Sequence, residues 1–151
     1  MTKLRKLSYL YLLLLLLISS CEPSEYKVLE GTSWQITDYT IDGTDSMATI
    51  KAFYLDGEFY FHERGGLGGY IRLYVRNSPQ NPTYGYSGVW QLYGKDFNLI
   101  NITLDGPLID KPSFKPFRTD WSITKLTKKD MQLNLTLDNS KYYLRFKPYT
   151  Q

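Results

Sequence analysis

Strict alternation of apolar and polar residues is the feature that most limits what this chain can fold into. In residues 131–137 polar side chains alternate with Met131, Leu133, Leu135 and Leu137. Residues 70–76 repeat the pattern with Ile71, Leu73 and Val75. Because successive side chains of a strand point to opposite faces, this period of two predicts strands with one buried face and one solvated face.

The same alternation recurs from Thr32 onward in about nine short segments separated by turn residues. These segments are 32–41, 49–55, 58–63, 70–76, 86–93, 97–104, 119–126, 131–137 and 141–148. In the first segment Trp34, Ile36 and Thr40 are predicted to share one face. Asp56-Gly57, between the second and third segments, is a typical two-residue hairpin turn. No helical segment is predicted after residue 20.

Successive hairpins predict antiparallel neighbours, so residues 31–151 are expected to form one all-β domain of about 8–9 strands in a meander. A meander with one apolar face either closes into a barrel or folds into a sandwich. We favour the barrel, since closure removes exposed strand edges. The composition agrees, because 14 Tyr, seven Phe and three Trp favour strands.

The N-terminus has the pattern of a bacterial export signal. Lys3, Arg5 and Lys6 precede the apolar run 7–18, and two small serines follow it. The run is shorter than the ~20 apolar residues that a membrane-spanning helix needs, so we expect a cleaved signal over residues 1–20. One interpretation of this segment is an ordinary secretory signal, in which the cysteine that follows it is incidental.

The tetrad Ile18-Ser19-Ser20-Cys21 resembles the lipobox of bacterial lipoproteins. The resemblance implies that Cys21, the only cysteine, takes a diacylglyceryl group after cleavage behind Ser20. Residues 21–30 would then be a lipidated tether between the membrane and the domain. We therefore expect a bacterial cell-envelope protein anchored by lipid, with the outer membrane favoured and the periplasmic side or cell surface left open.

The charge of the mature chain argues against two classes of partner. The whole chain has 18 basic and 15 acidic residues, and residues 1–20 hold three of the basic ones and no acid, which leaves 15 of each. A net charge near zero is atypical of nucleic-acid binding, which depends on a surplus of Lys and Arg. It also argues against electrostatic docking on a membrane. We expect a monomer.

The sequence offers few groups for catalysis or metal binding. His62 is the only histidine, and we expect it on the polar face of its strand. Asp42 and Asp45 are candidates for calcium, but the EF-hand spacing is absent and a plain turn is favoured. The glycines of 65–69 lack the spacing of a phosphate-binding loop. We therefore predict no cofactor, no metal and no enzymatic activity.

Four motifs carry a family resemblance that covers residues 29–148. They are Gly31-Thr32-Ser33-Trp34, 88–92 (GVWQL), 121–127 (WSITKLT) and 142–146 (YYLRF). Together they resemble the lipocalin-like domains of small bacterial lipoproteins. The resemblance implies that Trp34 plugs the closed end of the barrel and that Arg145, from the last strand, lies across its indole as a cation–π partner.

Two functions remain open. In the first, the barrel binds a small apolar or amphipathic ligand through Phe59, Phe61, Trp90 and Leu133, with segment 105–118 as a lid that carries Phe114 and Phe117. In the second, the barrel is filled and the protein is an envelope interaction module that binds glycan or protein. Its working surface would then be the exposed rings of Tyr70, Tyr74, Tyr84 and Tyr86.

Overall fold

Nine strands and four short helical segments make up most of the computed structural model, which describes residues 24–63, 67–74, 85–106 and 111–150. The strands are β1 Ser33–Ile41, β2 Thr44–Asp45, β3 Glu58–Glu63, β4 Gly68–Tyr74, β5 Gly85–Tyr93, β6 Leu99–Asp105, β7 Arg118–Thr127, β8 Asp130–Leu137 and β9 Ser140–Pro148. The α-helices are α1 Ser24–Leu29 and α2 Met47–Ala52, and 3-10 turns cover Lys95–Phe97 and Pro112–Phe117.

The strands form one closed antiparallel barrel. β1 and β3 to β9 pair in sequence order, and β1 also pairs with β9, so eight strands complete the circle. The two-residue β2 is added to the end of β1, where Thr40 is opposite Asp45. This confirms the predicted all-β meander barrel, and it leaves few free strand edges, as the closure argument requires.

Side-chain alternation fills the barrel. In β8 Met131 and Leu133 are fully buried, and in β5 Trp90 and Leu92 are buried among exposed neighbours. Among the described residues between Leu29 and Phe146, twenty-three buried hydrophobic ones form a single cluster. Most of the core therefore comes from strand residues whose inward direction follows from the period of two, and helices, loops and the 3-10 turn supply Leu29, Ile50, Leu55, Phe114 and Phe117.

The barrel has two different ends. At the N-terminal end, where β1 begins and β9 finishes, the turns are short and α1 packs near β7. At the other end, β1 is followed by β2 and α2, and β6 is joined to β7 through residues 106–117. We call residues 111–117 the strap, and we call the end of the barrel where they lie the strap end.

The predicted strand over residues 49–55 is wrong, and so is the predicted absence of helices. Residues Met47–Ala52 are helical, with Ile50 as their buried residue. A six-residue helix with one buried side chain is too short to display a helical period in the sequence. The apolar residues that follow it, up to Leu55, made the whole segment look like a strand. The backbone of Gly57 does lie very close to the backbone of β4, because a Cβ on Gly57 would collide with the carbonyl of Tyr74.

The second half of the predicted tether lies against the barrel. Leu29, at the end of α1, is completely buried, and its carbonyl accepts a hydrogen bond from the Trp34 indole at 3.4 Å. Trp34 itself is completely buried at the N-terminal end. Cys21 and the signal residues lie outside the described part of the chain. None of the described helices is long and apolar enough to cross a membrane.

The contact between Arg145 and Trp34 that the family resemblance implied is corrected by the strand geometry. Arg145 lies between the buried Leu144 and Phe146, so its side chain points to the outer face of β9, whereas Trp34 points inward. The guanidinium binds the carboxylate of Asp130, with Nε 2.7 Å from Oδ1. Arg145 therefore joins strands on the outer wall of the barrel.

Candidate ligand-binding site

Aromatic rings inside the barrel form two groups. In the first, Phe61 lies with its ring centroid 5.9 Å from Trp90 and 6.3 Å from Phe146, and Phe59 lies 5.3 Å from Phe146. All these pairs are close to perpendicular, the edge-to-face geometry that aromatic rings prefer. Leu133 is buried in the same core. This group is well-packed barrel interior.

The second group lies at the strap end and we call it the strap cluster. It consists of Tyr39, Tyr86, Phe114, Phe117, Trp121 and Tyr142. Phe117 lies near its centre, with centroids 5.8 Å from Tyr39, 5.6 Å from Phe114 and 6.5 Å from Trp121. Phe114 stacks on Tyr86 at 5.6 Å, and its edge meets Phe53, just after α2, at 5.7 Å.

The strap closes this end because its prolines and aromatic residues fold it inward. Pro112 and Pro116 restrict the backbone, and the amide of Phe114 donates to the Lys111 carbonyl at 2.8 Å, which begins the 3-10 turn. The Trp121 indole then donates to the Pro116 carbonyl at 2.8 Å. As a result Phe114 and Phe117 are buried within the barrel mouth.

The hydroxyl of Tyr39 in the strap cluster lacks a hydrogen-bond partner. The hydroxyl of Tyr39 is buried and makes no hydrogen bond with any described residue. Burial raises the pKa of this phenol above its ordinary value, and the neighbouring Tyr142 adds to the effect. A buried polar group without a hydrogen bond costs about 1–3 kcal/mol, so this hydroxyl calls for an explanation.

Strands β7 and β8 separate beside the strap. Their last paired residues toward this end are Ser122 and Asn134, whereas β8 continues against β9 as far as Leu137. A cavity of about 480 Å³ opens there and is lined by Thr103, Lys115, Arg118, Thr119 and Leu137. Lys115 belongs to the strap and pairs at 3.0 Å with Asp138, both side chains being exposed. The strap is thus held on this side by a surface ion pair.

The structure places all six predicted ligand-binding residues inside the barrel, although in different groups. Phe61 and Trp90 meet in the first group, and Phe114 and Phe117 meet in the strap cluster. Phe59 and Leu133 are likewise buried. The lid predicted over residues 105–118 is, in its described part, a strap with its rings turned inward.

Sequence reasoning missed Tyr39 and misplaced Tyr86. A β-bulge at Thr37, between Ile36 and Asp38, shifts the alternation by one residue, so Tyr39 faces inward in place of the predicted Thr40. Tyr86 was predicted to be exposed but is 3% exposed. It shares its inward direction with Trp90 four residues later, a signal that the sequence does contain.

The outer wall of β3 and β4 carries a second aromatic surface. Tyr70 and Tyr74 are each 42% exposed, as predicted, and Tyr60 packs edge-on against Tyr74 at 5.4 Å. Exposed His62 stacks with Tyr60 at 5.9 Å. A shallow groove of about 350 Å³ runs beside Tyr70 and includes Val89 and Asn101. Tyr84 lies outside the described residues.

The acidic candidates serve as turn residues. The Asp42 carboxylate accepts the backbone N–H of Lys141 at 2.8 Å, and that of Asp45 accepts the N–H of Met47 at 2.9 Å. Across the described ranges no three His, Cys, Asp or Glu side chains come together as a metal site. These carboxylates are therefore accounted for by backbone hydrogen bonds.

We compare the barrel with two of the solved structures that are similar to it. One is a lipocalin-like protein from Bacteroides uniformis, with 15% identity and a TM-score of 0.49 over 81% of this chain and 99% of that chain. The other is Japanin from Rhipicephalus appendiculatus bound to cholesterol, with 6% identity and a TM-score of 0.47 over 85% of this chain and 79% of that chain. No protein-family model and no curated protein matches the sequence.

The described topology is that of a lipocalin-like β-barrel. Eight antiparallel strands follow one another in sequence order around the barrel, and the last strand pairs with the first. This confirms the fold that the family resemblance implied. An eight-stranded barrel of this kind is either filled by its own side chains or holds one small ligand.

Proposed function

We propose that this protein is a lipid-anchored protein of the bacterial cell envelope whose barrel binds a small apolar or amphipathic ligand at the strap end. The buried, unpartnered hydroxyl of Tyr39 within the strap cluster is the observation that carries the binding proposal. Rings surround it and offer apolar contacts, while the hydroxyl offers one directed hydrogen bond. Binding sites for small molecules combine these two features.

Access to the strap cluster requires the strap to move. Within the described part of the chain its side-chain polar links to the barrel are the Trp121–Pro116 hydrogen bond and the exposed ion pair between Lys115 and Asp138. An exposed ion pair contributes about 0–1 kcal/mol, so it is a weak restraint. The cavity where β7 and β8 separate lies directly beside Lys115 and provides the route for entry.

Native mass spectrometry tests the binding proposal. Every described core residue lies between Leu29 and Phe146, so a chain that starts at residue 22 keeps the whole barrel. We expect this chain, purified from a bacterial envelope without detergent, to carry an extra small mass that is lost on denaturation. A clean apo mass together with no thermal shift from apolar compounds would contradict the proposal.

The anchoring proposal is supported by the lipobox-like tetrad that ends in Cys21. Dual or triple acylation of one residue gives stable membrane attachment, since each buried methylene contributes about 0.8 kcal/mol. We expect the full-length chain to incorporate labelled fatty acid and to fractionate with membranes in a bacterial host. The Cys21→Ser variant is expected to incorporate no label, and label retained by that variant would refute the anchor.

The second candidate function is an envelope interaction module that binds glycan through the outer tyrosines. It is favoured by the exposure of Tyr70 and Tyr74 on one wall, next to the groove that includes Asn101. Exposed rings beside amide groups suit the apolar faces and hydroxyls of sugars. Under this hypothesis Tyr70→Ser abolishes retention on envelope glycans, whereas Tyr39→Phe leaves it unchanged.

A further inference from the structure

We propose that the ligand presents an uncharged hydrogen-bond acceptor to the hydroxyl of Tyr39 and takes the place of the Phe117 ring beside it. This inference rests on the proposed function and adds the chemical class of the ligand: an apolar molecule with a ketone, ester or alcohol oxygen. It also makes Tyr39 the residue that determines specificity.

The three buried indoles of the core contrast with the Tyr39 hydroxyl. All three indoles donate to backbone carbonyls: Trp34 to Leu29, Trp90 to His62 and Trp121 to Pro116. Each of these rings is at least 98% buried, so the core pairs its indole N–H groups even where packing is tightest. Tyr39 is 1% exposed, and its hydroxyl has no such partner among the described residues.

The surroundings of Tyr39 select a neutral partner. Its ring lies between Tyr142, at 6.3 Å, and Phe117, at 5.8 Å, while the cationic residues that flank Phe117 in the chain, Lys115 and Arg118, are exposed. Burial raises the pKa of the phenol, so it stays protonated at neutral pH and offers its O–H as a donor. A carboxylate or phosphate at this position would be a buried anion without a counter-charge, which is strongly unfavourable.

Phe117 is the ring that a ligand displaces. It belongs to the strap, the element with a weak exposed ion pair, whereas Tyr39 and Tyr142 belong to the paired strands β1 and β9. Tyr39 and Tyr142 are therefore held in place while Phe117 moves with the strap. The displaced ring leaves an apolar space beside a hydrogen-bond donor.

Three probes of equal chain length test this inference: 2-undecanone, undecane and undecanoate. Each is measured by displacement of the neutral dye N-phenylnaphthylamine from the chain that starts at residue 22. We expect 2-undecanone to bind the wild type about tenfold more tightly than undecane, equivalent to about 1.4 kcal/mol. Undecanoate is expected to bind most weakly.

Two variants identify the donor. In Tyr39→Phe the advantage of 2-undecanone over undecane is expected to disappear, while undecane itself binds as before. In the matched control Tyr143→Phe, which removes a hydroxyl from a ring outside the strap cluster on the same strand as Tyr142, the advantage is expected to persist. The melting temperature of Tyr39→Phe should equal or exceed that of the wild type, because the hydroxyl has no partner to lose.

The outcomes separate the two proposals. If the probes bind but the ketone has no advantage, if undecanoate binds best, or if Tyr39→Phe keeps the advantage, the inference about Tyr39 is overturned and the proposed function stands. A lower melting temperature of Tyr39→Phe would show that the hydroxyl has a partner in the free protein, which also overturns the inference. If no probe displaces the dye and the native mass is clean, both proposals fail.

Discussion

Arg145 binds both carboxylate oxygens of Asp130, with Nε 2.7 Å from Oδ1 and Nη2 3.1 Å from Oδ2. Lys125 from β7 donates to Oδ2 at 2.8 Å and Gln132 donates to the same oxygen at 2.9 Å. The carboxylate at the start of β8 thus joins three neighbouring strands. The Arg145 hydrogen bonds, followed by those from Lys125 and Gln132, hold the pKa of Asp130 well below its usual range despite its burial.

Asp130→Asn is expected to lower the free energy of unfolding at pH 7 by about 1.5–3 kcal/mol, the range for hydrogen bonds to charged groups. Because the folded-state pKa is depressed, this stabilisation is present above the unfolded pKa of about 3.9 and is lost as pH falls toward the folded pKa. Urea unfolding at a series of pH values measures both effects.

Asp138→Asn is the matched control for Asp130→Asn. It breaks the exposed Lys115–Asp138 pair at the strap end, and we expect a loss below about 1 kcal/mol. Asp138 has a positive φ of 51°, which Asn also tolerates. Equal losses in the two variants, or a loss in Asp130→Asn that does not shrink in acid, would show that the pair with Arg145 is not the source of the stability.

Phe114→Ala is expected to lower the free energy of unfolding by about 3–5 kcal/mol, as removal of a buried aromatic ring does. Its ring is completely buried and contacts Tyr86, Phe53 and Phe117. Chemical denaturation is the measurement. Val89→Ala, at a site 47% exposed, serves as the control and should change stability by about 0.5 kcal/mol or less. A negligible effect at Phe114 would mean that the strap lies open in solution.

Gly88→Ala is expected to destabilise the barrel by about 1–3 kcal/mol, the usual cost of overpacking. A Cβ at Gly88 would collide with the carbonyl of Thr103 and approach the Cα of Leu104 to 2.9 Å, and both atoms belong to the backbone of β6. The backbone of a central strand moves little, so the clash is not relieved cheaply. Ser87→Ala, an exposed neighbour, is the control, and equal thermal stability of the two variants would refute the prediction.

Tyr93 provides a prediction of pH dependence away from the candidate site. A hydrogen bond to Asp120, aided by burial and by the negative charge of that carboxylate, raises the pKa of Tyr93 to about 12. In Asp120→Asn we expect this pKa to fall toward the ordinary value of about 10. Carbon-13 NMR of the tyrosine rings follows the titration, with Asp105→Asn as the control. A shift that survives in Asp120→Asn would assign it to another cause.

Much of the barrel is readable from the sequence because its inward and outward residues alternate strictly. Met131 and Leu133 are buried where the pattern places them. The outward direction of Arg145 was also readable, since it stands between the apolar residues Leu144 and Phe146. The family resemblance implied a contact with Trp34 that this alternation already opposes.

The candidate site was harder to predict because local irregularities build it. The bulge at Thr37 turns Tyr39 inward, and no residue type in that segment predicts a bulge. Helix α2, which places Phe53 against Phe114, lies in a segment whose composition suits a strand equally well. The missing partner of the Tyr39 hydroxyl is a property of three-dimensional packing that a sequence pattern does not contain.

The pairing of β1 with β9 sets the order in which this chain can reach its native state. The Asp42 carboxylate accepts the Lys141 amide, and the two residues are 99 positions apart in the chain. Contacts between such distant residues make folding slow, since a long loop must close before they form. During synthesis one edge of β1 therefore stays unpaired until β9 has been made. A chain truncated before Ser140 would be an open, aggregation-prone sheet with two free edges, not a smaller barrel.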